Sequence, residues 1–115
     1  MSEEQNQAEI EVYQTNRFEK ALDKLPQQFR SVVEDEIDEI DEIDAIVENP
    51  ELGELKKGDL SYLRVHKFKL NNQLTLLGYS WNQSQLIIHL LSLGSHENFY
   101  QQQKKMRKSD LKLIR

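Results

Sequence analysis

His96 and Tyr100 stand four residues apart, just past the most apolar run of the chain, in the stretch Leu91-Ser92-Leu93-Gly94-Ser95-His96-Glu97-Asn98-Phe99-Tyr100. An imidazole with an ordinary pKa of about 6.5 gives or accepts a proton at neutral pH, so His96 is the candidate general acid or base. Tyr100 is suited to stack on a base or to orient a phosphate. Each has a plainer reading: His96 as a turn residue capping the following helix, Tyr100 as an aromatic at the edge of the core. The other two histidines are His66, expected exposed on a strand, and His89, expected as a hydrogen-bonded core residue.

Charge is divided unevenly along the chain. Residues 1 to 55 carry 17 acidic against 4 basic side chains, and residues 56 to 115 carry 3 against 11, so a net charge of -5 conceals a basic C-terminal half. Anionic partners such as nucleic acid fit that half. Cysteine is absent, which excludes disulfides, thiolate metal sites and a thiol nucleophile. Calcium binding is not expected of the carboxylates, because no glycine-turned loop spaces them as ligands. Leu86 to Leu93 is interrupted by His89 and Ser92 and falls far short of the roughly 20 residues needed to span a bilayer. With acid rather than base among the first residues, the expectation is a soluble, cytoplasmic protein.

The elements that must position these groups follow from periodicity. Residues 1–9 are polar and acidic and are expected to be a disordered lead-in to a strand at Ile10-Glu11-Val12-Tyr13. Asn16, three residues before Glu19, suggests a capping box, and Phe18, Leu22 and Leu25 make an amphipathic helix to about Lys24. Pro26 closes that helix and opens a second with Phe29, Val33, Ile37, Ile40 and Val47 on one face. Its acidic centre, Glu36 to Asp44, repeats every three residues, so its isoleucines drift around the axis and Ile43 or Ile46 falls near the edge of the buried face, open to a partner.

Asn49-Pro50 and the glycines at 53 and 58 frame a loop with Lys56 and Lys57. Leu60 to Leu70, Gln73 to Ser80 and Gln85 to Leu93 then read as a three-stranded meander, turning at Asn71-Asn72 and Trp81 to Ser84. A short helix follows from Phe99 and fades into a basic tail, residues 106–115. The expected fold is α+β: a strand and two-helix hairpin packed on an antiparallel meander, with a short C-terminal helix and one domain over residues 10–105.

That order of elements resembles the RelE/ParE superfamily of toxins from bacterial toxin-antitoxin systems. The likeness is carried by Phe18 to Pro26, Asn49-Pro50, Gly53 to Lys57 and Leu93 to Tyr100. It implies a toxin neutralised by a cognate antitoxin that wraps it, acting either as a nuclease on ribosome-bound mRNA or, in ParE-type members, on DNA gyrase. A homologue that has lost toxicity and only binds antitoxin is a third reading. The nuclease chemistry is attack of a ribose 2′-hydroxyl on the adjacent phosphate, with no metal or cofactor. The resemblance places His96, Tyr100 and the strand cation Arg64 as catalytic groups. Lys56, Lys57, Lys67, Lys69, Lys104 and Lys105 are the expected RNA-binding residues. It also implies an arginine early in the strand after the hairpin, where this chain reads Asn72-Gln73-Leu74-Thr75. Loss of such a cation removes several kcal/mol of transition-state stabilisation unless Arg64 or a lysine substitutes.

Overall fold

In the computed structural model, which describes residues 9–37 and 45–114, a five-stranded sheet lies between two helical layers. The strands β1 (Glu11–Gln14), β2 (Glu54–Leu55), β3 (Arg64–Leu70), β4 (Gln73–Asn82) and β5 (Ile87–Ser95) are arranged β1-β5-β4-β3-β2. Only β1 is parallel to its neighbour, β5; every other pairing is antiparallel. The helices α1 (Asn16–Asp23) and α2 (Gln27–Ile37) cover one face, while α3 (His96–Lys105), followed by α4 (Arg107–Ile114), covers the other.

The two cores follow from strand alternation. On the α1/α2 face Phe18, Leu22, Val33, Leu77, Tyr79 and Ile88 pack together; on the α3 face Leu63, Val65, Leu76, Leu91 and Phe99 do so. A bulge makes this partition possible. Gly78 pairs with Ser92 but Tyr79 pairs with Leu90, so Leu91 is an extra residue that turns to the α3 face and shifts the alternation of all that follows. This explains how Leu90, Leu91 and Leu93 all find apolar surroundings on a strand whose side chains should alternate. Gly78 is required here, because a Cβ would stand 2.8 Å from the Phe99 ring and 2.6 Å from Ser92 Oγ.

Several expected boundaries move. The cap of α1 is Thr15, not Asn16: its Oγ1 accepts from Phe18 N at 3.0 Å, and because the same hydroxyl donates to Leu91 O the cap also ties α1 to β5. The second helix does not run on to Val47. Ile46 N donates to Glu36 O and Val47 N to Ile37 O, a separation of ten residues that no helix permits, so the chain has turned back by Ala45. Ile46 is thereby fully buried instead of lying at an exposed edge. Ile40, Ile43 and the acidic run from Asp38 to Asp44 lie outside the described residues, as does most of the expected lead-in at residues 1–9.

Gly58–Leu60 forms a single 3-10 turn, and the strand expected from Leu60 begins at Arg64. The Asn71-Asn72 turn has positive φ at both residues, 53° and 64°, as a two-residue hairpin of primed type requires. The next turn lies later than Trp81 to Ser84, since β4 continues to Asn82 and Leu86 takes φ 59°. Residues 107–114, expected as a basic tail, form α4. None of the helices among the described residues is long and apolar enough to cross a membrane.

Candidate functional site

The α3 face brings three of the singled-out side chains together. β5 delivers the chain to Ser95, and α3 then turns back over the sheet, seating Phe99 against Gly78 and carrying His96 and Tyr100 on its outer side. The His96 ring meets Tyr100 edge-on, with centroids 5.8 Å apart at 77°. Lys56 Nζ stands 5.3 Å from the centre of the same Tyr100 ring, within cation–π reach. Its ammonium also pairs with Glu54 at 2.8 Å, and that hydrogen bond, opposed by partial burial, raises the Lys56 pKa. His96 is exposed and, among the described residues, forms no hydrogen bond, so its imidazole is not the cap of α3. Tyr100 is half-buried against the second core cluster, which makes it both a core-edge aromatic and a wall of the site.

Register places the remaining cations. Lys67 pairs with Leu76 and Lys69 with Leu74, and since Leu76 faces Phe99, both lysines point to the α3 side, exposed. Lys67 is close enough to Glu54 to help hold that carboxyl below its usual pKa, after Lys56, which contributes most. Lys57 is exposed at the entry to the 3-10 turn, and Lys104 and Lys105 lie in the last turn of α3, where cations suit the helix dipole.

Arg64 is not brought to His96. It pairs with Tyr79 and so points to the α1/α2 face, where its Nη1 donates to Gly53 O at 2.8 Å and Glu51 O at 3.3 Å. Tyr79 braces the same loop from within the core: its hydroxyl accepts from Gly53 N at 2.8 Å and donates to Pro50 O at 2.7 Å. Burial pushes the Tyr79 pKa up, which keeps the phenol protonated for that donation. Both residues therefore set the path of the segment that presents Lys56. Replacing Tyr79 with phenylalanine leaves two backbone groups unpaired, and is expected to cost about 1–3 kcal/mol in chemical denaturation while Leu77 and Ile88 stay packed. A shift in unfolding free energy below about 0.5 kcal/mol would show that the brace is dispensable.

His66 is buried, not exposed, and its Nε2 meets Glu36 Oε1 at 2.6 Å, joining β3 to α2. His89 stacks on Tyr13 at 5.8 Å, but its buried Nδ1 has no partner among the described residues, and burial lowers its pKa; the expected hydrogen-bonded core histidine is not what forms. No group of three or more potential metal-ligating side chains occurs among the described residues.

Sequence reasoning missed the polar cluster beneath α3. Gln103, fully buried, donates to Asp110 Oδ2 at 2.6 Å and to the Tyr62 hydroxyl at 2.9 Å, and accepts from Ser92 Oγ at 2.8 Å. Asp110 in turn takes two hydrogen bonds from the Arg17 guanidinium, at 3.1 and 3.3 Å. A signal existed: Phe99, Gln103 and Asp110 follow at intervals of four and seven, which puts the glutamine and the aspartate on the buried side with the phenylalanine.

A family model described as the ParE-like toxin of type II bacterial toxin-antitoxin systems matches residues 12–104. Among solved structures, a chain of the intact E. coli RelBE toxin-antitoxin complex shares the fold with a TM-score of 0.58 at 19% identity, over 76% of this chain and 98% of that one. A double arginine-to-alanine mutant of the E. coli toxin RelE in the free state gives 0.58 at 19% identity, over 78% and 86%. The isolated E. coli RelE toxin gives 0.56 at 18%, over 84% and 98%. No curated protein matches the sequence. At these identities the structural likeness is one of fold.

Proposed function

Since the chain belongs to the ParE-like toxin family of type II bacterial toxin-antitoxin systems, we propose that it cleaves mRNA on the ribosome, by attack of a ribose 2′-hydroxyl on the adjacent phosphate, and is held in check by a cognate antitoxin protein. The supporting observation is the grouping of His96, Tyr100 and Lys56 on the face that also carries Lys67 and Lys69. In this reading His96 takes the 2′-hydroxyl proton or returns one to the leaving 5′-oxygen, since it is exposed and its imidazole has no hydrogen-bond partner among the described residues. Lys56 and Lys67 stabilise the charge that builds on the phosphate. Tyr100, whose ring meets both Lys56 and His96, offers a surface on which a base stacks. No metal enters the scheme.

Arg64 is engaged by two carbonyls away from this face, which leaves the charge stabilisation to lysines; that favours, as the second reading, inhibition of DNA gyrase. Induced expression followed by primer extension on cellular mRNA separates the two. Cut transcripts during growth arrest are expected; intact transcripts with DNA damage would support the gyrase reading instead.

A further inference from the structure

β1 ends at Gln14 and α1 leads away, so among the described residues the outer edge of β5 beyond Leu90 has no strand beside it. Along that edge runs a groove of about 500 Å³ between α1 and α3. One wall is a stripe of α1, with Lys20 and Lys24 a turn apart; the other is Asn98 and Gln102 of α3, likewise a turn apart; Gly94 and Ser95 are on its floor. Gly94 adds no bulk, for even a Cβ built on it would meet nothing within 4 Å. Among the described residues no carboxylate lines the groove, although α1 belongs to the acidic half of the chain. Arg17 at its base is already neutralised by Asp110, so the available charge is that of Lys20 and Lys24, neither of which has an ion-pair partner among the described residues.

We propose that this groove holds the phosphate backbone of the single-stranded RNA next to the cleaved bond, a role that rests on the nuclease reading and extends its substrate surface from one sheet face around the edge. Two features favour RNA over an acidic peptide. The groove floor ends at Ser95, the residue before His96, so one end of the groove adjoins the start of α3 from which His96 projects. Cations one helical turn apart, facing carboxamides that donate and accept hydrogen bonds, match a chain of phosphates and sugars.

The test is binding of a fluorescent oligouridylate to the full chain across a salt series, for the wild type, a Lys20→Ala/Lys24→Ala variant and a Lys56→Ala/Lys67→Ala variant. Lys20 in α1 and Lys24, its C-cap, are both exposed and alanine favours helix, so the first variant is expected to fold normally, checked by circular dichroism. Two lost phosphate contacts on a single strand lower the salt slope by about 1.4. From about 50 to about 200 mM salt the wild type is then expected to lose about sevenfold more affinity than the Lys20/Lys24 variant. An unchanged slope in that variant, with a reduced one in the Lys56/Lys67 variant, overturns the groove as an RNA path and leaves the nuclease reading standing. No RNA binding by the wild type at low salt overturns both. A polyglutamate peptide that binds through Lys20 and Lys24 where oligouridylate does not would assign the groove to a protein segment, and also overturns the proposal.

Discussion

Replacing His96 with alanine is expected to slow cleavage of ribosome-bound mRNA by about 10²- to 10⁴-fold, the range lost when a positioned acid or base is removed. The geometry predicts a clean functional effect. His96 is exposed at the first position of α3, is bonded to nothing among the described residues and touches Tyr100 only edge-on. Its removal should therefore change unfolding free energy by less than about 0.5 kcal/mol, the usual bound for a surface side chain. The measurement pairs single-turnover cleavage with urea denaturation of the same preparation. Full activity in a folded variant would remove His96 from the chemistry and leave the nuclease reading without a proton carrier. Loss of activity together with loss of stability would mean that the imidazole mattered to α3 rather than to RNA.

Asp110→Ala is expected to cause the largest loss of stability, about 3 kcal/mol. Asp110 is 2% exposed and is the only acidic side chain bonded to both Gln103 and Arg17 among the described residues. Breaking a buried pair strands the surviving charge, at a cost of about 3–5 kcal/mol. The lower end applies because the Arg17 side chain remains 23% exposed and water recovers part of its solvation. Against a typical domain stability of about 5–15 kcal/mol this is a large fraction. Gln103 would also lose a partner in the cluster that joins α1, α3, α4, β5 and Tyr62. The test is the urea midpoint together with a double variant, Arg17→Leu/Asp110→Leu. The double variant should recover part of the loss, because it leaves no unpaired charge. A single-variant change under about 0.5 kcal/mol would show that the cluster is not what seats α3.

Much of the fold was legible because its cues are local. Phe18 and Leu22, four apart, and the proline after them define α1 and its end; Asn71-Asn72 specifies a hairpin by tolerating positive φ; the apolar run into Leu93 announces an internal strand. Errors arose where a local cue had a rival. Asn16 and Thr15 both suit an N-cap, and what favours Thr15 is a second bond to Leu91, 76 residues away. The acidic repeat reads as a continuing helix, yet the backbone bonds of Ile46 and Val47 turn the chain back onto Glu36 and Ile37.

For the site, the sequence by itself determined which residue types exist to do chemistry: a histidine and a tyrosine four apart after a strand, lysines before and along β3, and no cysteine. It determined too that residues 12–104 belong to a toxin family. Tertiary structure alone decided which of these meet. A strand shows the parity of its residues but not which layer covers each face, so alternation separates Arg64 from Lys67, and only pairing with Tyr79 and Leu76 showed that Lys67 shares the face of α3 while Arg64 does not. One inserted residue, Leu91, reverses that parity within β5, and the shift is set by the partner strand. Lys56 lies 44 residues before Tyr100 and Lys20 lies 78 before Asn98, so neither meeting leaves a periodic trace in the chain. His96 and Tyr100 could be named from the sequence; the lysine that meets Tyr100, and the groove beside α3, required the fold.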